Sequence, residues 1–133
     1  MATYVNLVNQ PIEVLTGNDS IVLPLVLDTI DGGRSLNVAN FDPDVIPGGH
    51  VIIREIATND YKPAPVVMST GKYDTLPTGH EYVGVQIGSV LKKQPFGSIC
   101  INGRVNIKAS VYDLTPILSD VKTALKHINF NSY

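Results

Sequence analysis

The positions at which this chain could do chemistry are three histidines, one cysteine and a few short acidic stretches. No two of His50, His80 and His127, nor any of them with Cys100, stand two to five residues apart. That is the spacing at which zinc ligands are usually presented, so these residues are not expected to bind a metal. His50 and His80 each follow a glycine at the end of a turn, in Gly48-Gly49-His50 and Thr78-Gly79-His80, and each opens a run of strand formers. The expectation for both is a polar residue at the rim of a β domain rather than a catalytic base. On that reading, replacing His50 by Gln or Ser costs less than about 1 kcal/mol. His127 is expected to complement the C-terminal end of a helix dipole. Cys100 lies between isoleucines in "SICIN" and reads as a small buried hydrophobe with a raised pKa. Asn40-x-Asp42-x-Asp44 copies the first alternate ligands of a calcium loop. Val45 and Val51, however, occupy the positions where glycine and a bidentate glutamate belong. Asp31-Gly32-Gly33-Arg34 lacks the spacing of a phosphate-cradling loop and reads as a turn. "GSV" and "GSI" lack the second glycine of a nucleophile elbow. Nor are the acidic ligands and backbone cradle of a small trimeric nucleotide pyrophosphatase found. No catalytic residue, cofactor site or metal site is assigned, and the expectation is a binding or structural module.

Bulk composition points the same way. A chain of 133 residues is most simply one domain, able to bury about two-thirds of its unfolded surface without staples. Hydrophobic residues make up 44% and charged residues 17%, which leaves few charges to coat the outside and suggests that other protein covers some apolar surface. With a net charge of −2, and Lys and Arg clustering only at Lys92-Lys93, nucleic acid is not an expected partner. No apolar run approaches the ~18 residues of a membrane span, and no secretory pattern opens the chain. The expectation is therefore synthesis in a cytosol without membrane insertion. A lone cysteine makes no intramolecular disulfide, and the glycosylation-type triplet Asn18-Asp19-Ser20 reads as a turn.

The elements that would position these residues are mostly strands. Short branched-residue runs alternate with Gly, Pro, Asn and Asp clusters, the pattern of a mainly β domain, either a small barrel or a sandwich. "PIEVL" and "IVLPLVL" flank a natural hairpin connection, with Pro24 placing the second run at an edge or a bend. Val83, Val85 and Ile87 alternate with Tyr82, Gly84 and Gln86, which predicts one core face. Val105, Ile107, Ala109 and Val111 share parity in the same way. Asn102-Gly103 predicts a two-residue hairpin, with a glycine inside a continuing strand as the alternative. Only the end of the chain reads as helical, over about 115–128. Thr115 caps it, Pro116 takes the first position, and Ile117, Leu118, Val121, Ala124, Leu125 and Ile128 line one face. Residues 1–30 read as an N-terminal arm or hairpin and 31–133 as the compact β domain. The arm either pairs with a neighbouring chain or forms the first hairpin of the same domain.

The order of "GRSLNV", "VIPGGHVIIRE", "YKPAPV", "YDTLPTGHEYVGVQIGSVL", "PFGSICINGRVN" and "IKAS…LKHINF" resembles the head fibre and head decoration (auxiliary capsid) proteins of tailed bacteriophages. The likeness is strongest to those of Bacteroides and crAss-like phages, and more remote to lambda-type head decoration proteins. It covers roughly 34–130 and rests on the order of turn and strand patterns, not on any single motif. It implies a structural virion protein on the capsid exterior, made in the host cytoplasm. The implied partner is the major capsid protein, bound by a homotrimer or by a chain that carries a head fibre, without nucleic acid or membrane. Within that reading Tyr4, Val5, Leu7 and Val8 are the expected capsid contacts. The alternative is an adhesive head-fibre module that stacks host or mucosal glycans on Tyr61, Tyr73 and Tyr82.

Overall fold

The computed structural model describes residues 19–131. A single helical turn, α1 (Asp19–Val22), leads into β1 (Leu25–Thr29), β2 (Arg34–Ser35), β3 (Val45–Ile46), β4 (Val51–Glu55) and β5 (Tyr61–Pro63). Next come β6 (Val66–Val67), β7 (Lys72–Tyr73), β8 (His80–Ile87), β9 (Val90–Leu91) and the long β10 (Phe96–Asn106). Two 3-10 turns (Ile107–Ala109 and Thr115–Ile117), α2 (Leu118–Ala124) and β11 (Ile128–Asn131) follow. The fold is mainly β and sandwich-like, with one short C-terminal helix.

The main sheet has seven strands and is organised by β10. Cys100 pairs with both Thr29 of β1 and Val85 of β8, while Gly103 and Arg104 pair with both β1 and β11. One edge of β10 therefore carries β2 and then β1, and the other carries β8 and then the parallel β11. Beyond β8 come β4 and β5, so the order β1-β10-β8-β4-β5 is open. The segment after β2 touches β5 through one bridge, Leu36 to Tyr61, but among the described residues no ladder closes a barrel.

Successive residues of β4 point to opposite faces, and both faces are covered. Val51 and Ile53 join Val22, Tyr73, Val85, Val105, Val121 and Phe130 in the larger core. Ile52 joins Leu36, Phe41, Ile46 and Ile99 in a smaller core on the other side. The two-stranded sheets β6–β7 and β3–β9 contribute to the first and second core respectively.

Several expectations are corrected by this architecture. Val83, Val85 and Ile87 do not share one face: the register slips between Ile52 and Ile53, where Val51 opposes Val85 but Ile53 opposes Tyr82. That bulge puts Val85 in the larger core and Val83 against the smaller one, because one extra residue reverses the alternation. Asn102-Gly103 is not a hairpin, since β10 runs straight through it. Glycine is needed there because a Cβ at Gly103 would collide with the Leu25 carbonyl of β1. The shared parity of Val105, Ile107, Ala109 and Val111 ends at Asn106, whose side chain accepts from Lys108 N–H and starts a 3-10 turn. Val111 is consequently exposed.

The helix is also shorter than 115–128. Thr115 does not cap it: α2 follows Ile117 without a side-chain cap, and Thr115 opens the preceding 3-10 turn, where the Asp113 carboxylate accepts from its amide at 2.9 Å and its hydroxyl at 2.6 Å. α2 buries Val121, and Leu125 just beyond its end is also buried, but Ile128 lies in β11. There Ile128 and Phe130 are buried and Asn129 and Asn131 exposed, a strand alternation laid along the edge of β10 that β8 leaves free. Ile21 and Val22 lie in α1, so the strand expected from "IVLPLVL" begins only after Pro24 and forms the sheet edge. Of the expected 1–30 arm, residues 1–18 lie outside the described residues. Val22 is fully buried in the larger core.

Candidate functional site

His50 is buried, with 1% of its surface exposed, and the expected rim position is wrong. It stands where the turn after Pro47 meets β4, tied by Gln86 N–H to the His50 carbonyl at 2.8 Å and by Gly49 N–H to the Gln86 carbonyl at 2.7 Å. Gly49 makes this entry possible. Its φ is +84°, and a Cβ there would strike the Val22 side chain. Nε2 of His50 lies 2.8 Å from the Ala64 carbonyl, which only accepts, so Nε2 carries the proton. Nδ1 then accepts from the Tyr73 hydroxyl at 3.2 Å, and that oxygen accepts from Val51 N–H at 3.1 Å. Phe41, Tyr73 and Tyr112 surround the imidazole with ring centroids at 5.2, 5.0 and 5.6 Å. Burial pushes the His50 pKa down to about 4, against the opposing pull of the Ala64 bond, and burial likewise raises Tyr73. Both nitrogens are engaged and no solvent reaches them. This is a neutral histidine joining β4 to the strands around β6 and β7, not a base poised for substrate.

A second constellation lies at the far end of β4. Lys62 on β5 donates from Nζ to Glu55 Oε1 at 2.8 Å and contacts His80 Nε2 at 3.2 Å. His80 Nδ1 faces the Thr78 carbonyl at 3.0 Å, which assigns the proton to Nδ1 and makes Nε2 the acceptor of Lys62. The Lys62 hydrogen bond holds the Glu55 carboxyl below its usual range. Alongside, Arg54 pairs with Glu81 and donates to Asn59 Oδ1 at 2.6 Å. Lys62 and His80 border a cleft of about 150 Å³ that Phe41, Ile53 and three prolines line with apolar surface. Among the described residues no hydroxyl or thiol nucleophile lines it. Partly exposed ion pairs of this kind are worth little energetically and serve mainly to brace the strand ends. As expected, His80 opens β8.

The remaining sequence candidates are dispersed. Cys100 is fully buried, donates to the Asn102 carbonyl at 3.3 Å, and its thiol is raised by burial, as its neighbours suggested. His127 is exposed and lies past the end of α2, so it does not complement that helix; Lys122 occupies the last turn. Asp31-Gly32-Gly33-Arg34 is a turn, with Arg34 donating back to the Asp31 and Gly33 carbonyls at 2.9 and 2.6 Å. Among the described residues no group of three His, Cys, Asp or Glu is placed to hold a metal ion. The three tyrosines do not make a sugar-stacking platform: Tyr73 is buried, Tyr61 lies under the Arg34 guanidinium at 5.4 Å, and Tyr82 packs on the larger core. Tyr4, Val5, Leu7 and Val8 lie outside the described residues.

Sequence reasoning missed Gln86, fully buried against Gly97, where a Cβ would meet its carboxamide. It donates to the Gly88 carbonyl at 3.2 Å, while Oε1 has no partner among the described residues. Its alternation with valines marked a strand face but not that this face is covered. What remains conspicuous is apolar surface. Leu27, Phe96, Ile56, Met68, Ile21 and Val111 are each about half exposed or more, with Leu27 at 65%. The chain matches no family model, no curated protein sequence and no solved structure.

Proposed function

We propose that this chain is a structural virion protein that binds the outer surface of an assembled capsid and stabilises it, with the major capsid protein as its partner. In this reading it acts by surface contact and not by catalysis, without nucleic acid or membrane. It sits on the capsid exterior after synthesis in the host cytoplasm, as a homotrimer or as the mount of a head fibre. One observation carries the reading. His50 and Cys100 are enclosed in the fold and His80 is held by Lys62 at a strand end, whereas large apolar side chains stand in solvent on a chain with few charges. The order of the turn and strand motifs supports the same reading. Weak individual contacts suffice on a repeating shell, because a protein touching several identical subunits gains affinity through effective concentration.

The test is fractionation of mature particles. The chain should travel with heads at a copy number comparable to that of coat subunits, and purified chain should bind undecorated heads saturably but not free coat subunits. Absence from finished particles would overturn the proposal.

A further inference from the structure

Two of the exposed apolar side chains face a single groove. Met68, just after β6, and Val111, after the first 3-10 turn, are 53% and 48% exposed and line it. Pro43, Val45, Pro47 and Tyr112 line it as well. The space between is about 470 Å³, room for a few side chains. Asp42 and Asp44 also line it, and both are exposed. Neither carboxylate forms an ion pair among the described residues, where the ion pairs are Arg54–Glu81 and Lys62–Glu55. Lys92 and Lys93 lie beside Asp44 in an adjoining depression without pairing to it.

We propose that this groove is a docking site for a protein segment that presents an apolar side chain flanked by lysine or arginine. Apolar walls call for an apolar anchor, and two exposed carboxylates that line the groove without an ion pair among the described residues favour cations flanking that anchor. The site is also preformed. Tyr112 packs edge-on against His50 and Tyr73 at 5.6 and 6.1 Å, and Val45 is held in the β3–β9 ladder, so little ordering is needed on binding. As a route to the capsid the inference rests on the proposed docking function, naming its face and the chemistry of the coat segment that meets it. The groove itself can be tested without a capsid.

The experiment titrates the full ¹⁵N-labelled chain with a capped peptide centred on Arg-Leu-Arg, and separately with its Glu-Leu-Glu counterpart. The arginine peptide should shift amides of residues 42–47, 68 and 111–112, weaken as salt is raised, and bind about fivefold or more weakly to the Asp42→Asn/Asp44→Asn chain. Met68→Ser/Val111→Ser should remove the response while the amides around His50 keep their positions, showing an intact fold. Equal binding of both peptides, shifts elsewhere or no shifts would overturn the proposal. So would groove shifts that depend on protein concentration alone, which would identify a second copy as the occupant. A positive titration with a chain absent from virions leaves the groove standing and removes the capsid reading. A chain present on virions whose groove variants decorate normally does the reverse.

Discussion

At the residue scale His50 sets the behaviour of the larger core's edge. Removing a buried imidazole that both donates and accepts takes the donor from the Ala64 carbonyl and the acceptor from the Tyr73 hydroxyl proton, although Val51 N–H still reaches the Tyr73 oxygen, and each such loss costs about 1–3 kcal/mol. His50→Ser should therefore destabilise the fold by about 2–4 kcal/mol in urea unfolding, well beyond the sub-1 kcal/mol change that a rim residue would give. Acid acts on the same group. The folded pKa, about 4, lies below the unfolded value of 6.5, so the unfolded chain takes the proton first. The stabilisation is complete above pH 6.5 and is lost as pH falls toward 4, by up to about 3 kcal/mol across that window. Urea midpoints measured from pH 7 to pH 4 should fall for the parent chain and fall less for His50→Gln. Equal slopes would refute this account.

At the element scale the glycines decide where strands can lie. Gly103→Ala should displace β1 from β10 and destabilise by about 2–3 kcal/mol in thermal or urea unfolding, because its Cβ would meet a backbone carbonyl. Asn102→Thr should stay within about 0.5 kcal/mol, since Asn102 does not adopt the positive φ that a type I′ turn would demand. A hairpin would have reversed that order. Asn-Gly satisfies the local requirements of both a turn and a close strand crossing, and only the carbonyl of a strand some eighty residues earlier distinguishes them. The β8 bulge and the switch from α2 to β11 have the same origin, because pairing partners distant in sequence override local periodicity.

At the scale of the whole molecule the open sheet is covered on both faces but not at its β1 edge, where Leu25, Val26, Leu27 and Asp28 are all exposed. The ladder with β10 is irregular on both sides of Asp28, and a bulged, charged edge resists uncontrolled strand pairing. Leu27→Lys should accordingly leave the melting temperature within about 2 °C, as for ordinary surface changes. If β1 instead met a partner in solution, the parent's sedimentation would depend on concentration and the variant's would not. The mainly β class, the buried Cys100, the Asp31–Arg34 turn and the strand-opening role of His80 were all determined by sequence, because turn chemistry and period-2 alternation are local properties. Tertiary structure alone decided that His50 is enclosed, that Gln86 is buried against Gly97, and that Met68 and Val111 share a groove with Asp42 and Asp44. Each of those depends on residues far apart in the chain being brought within a few ångströms, and no local pattern encodes that proximity.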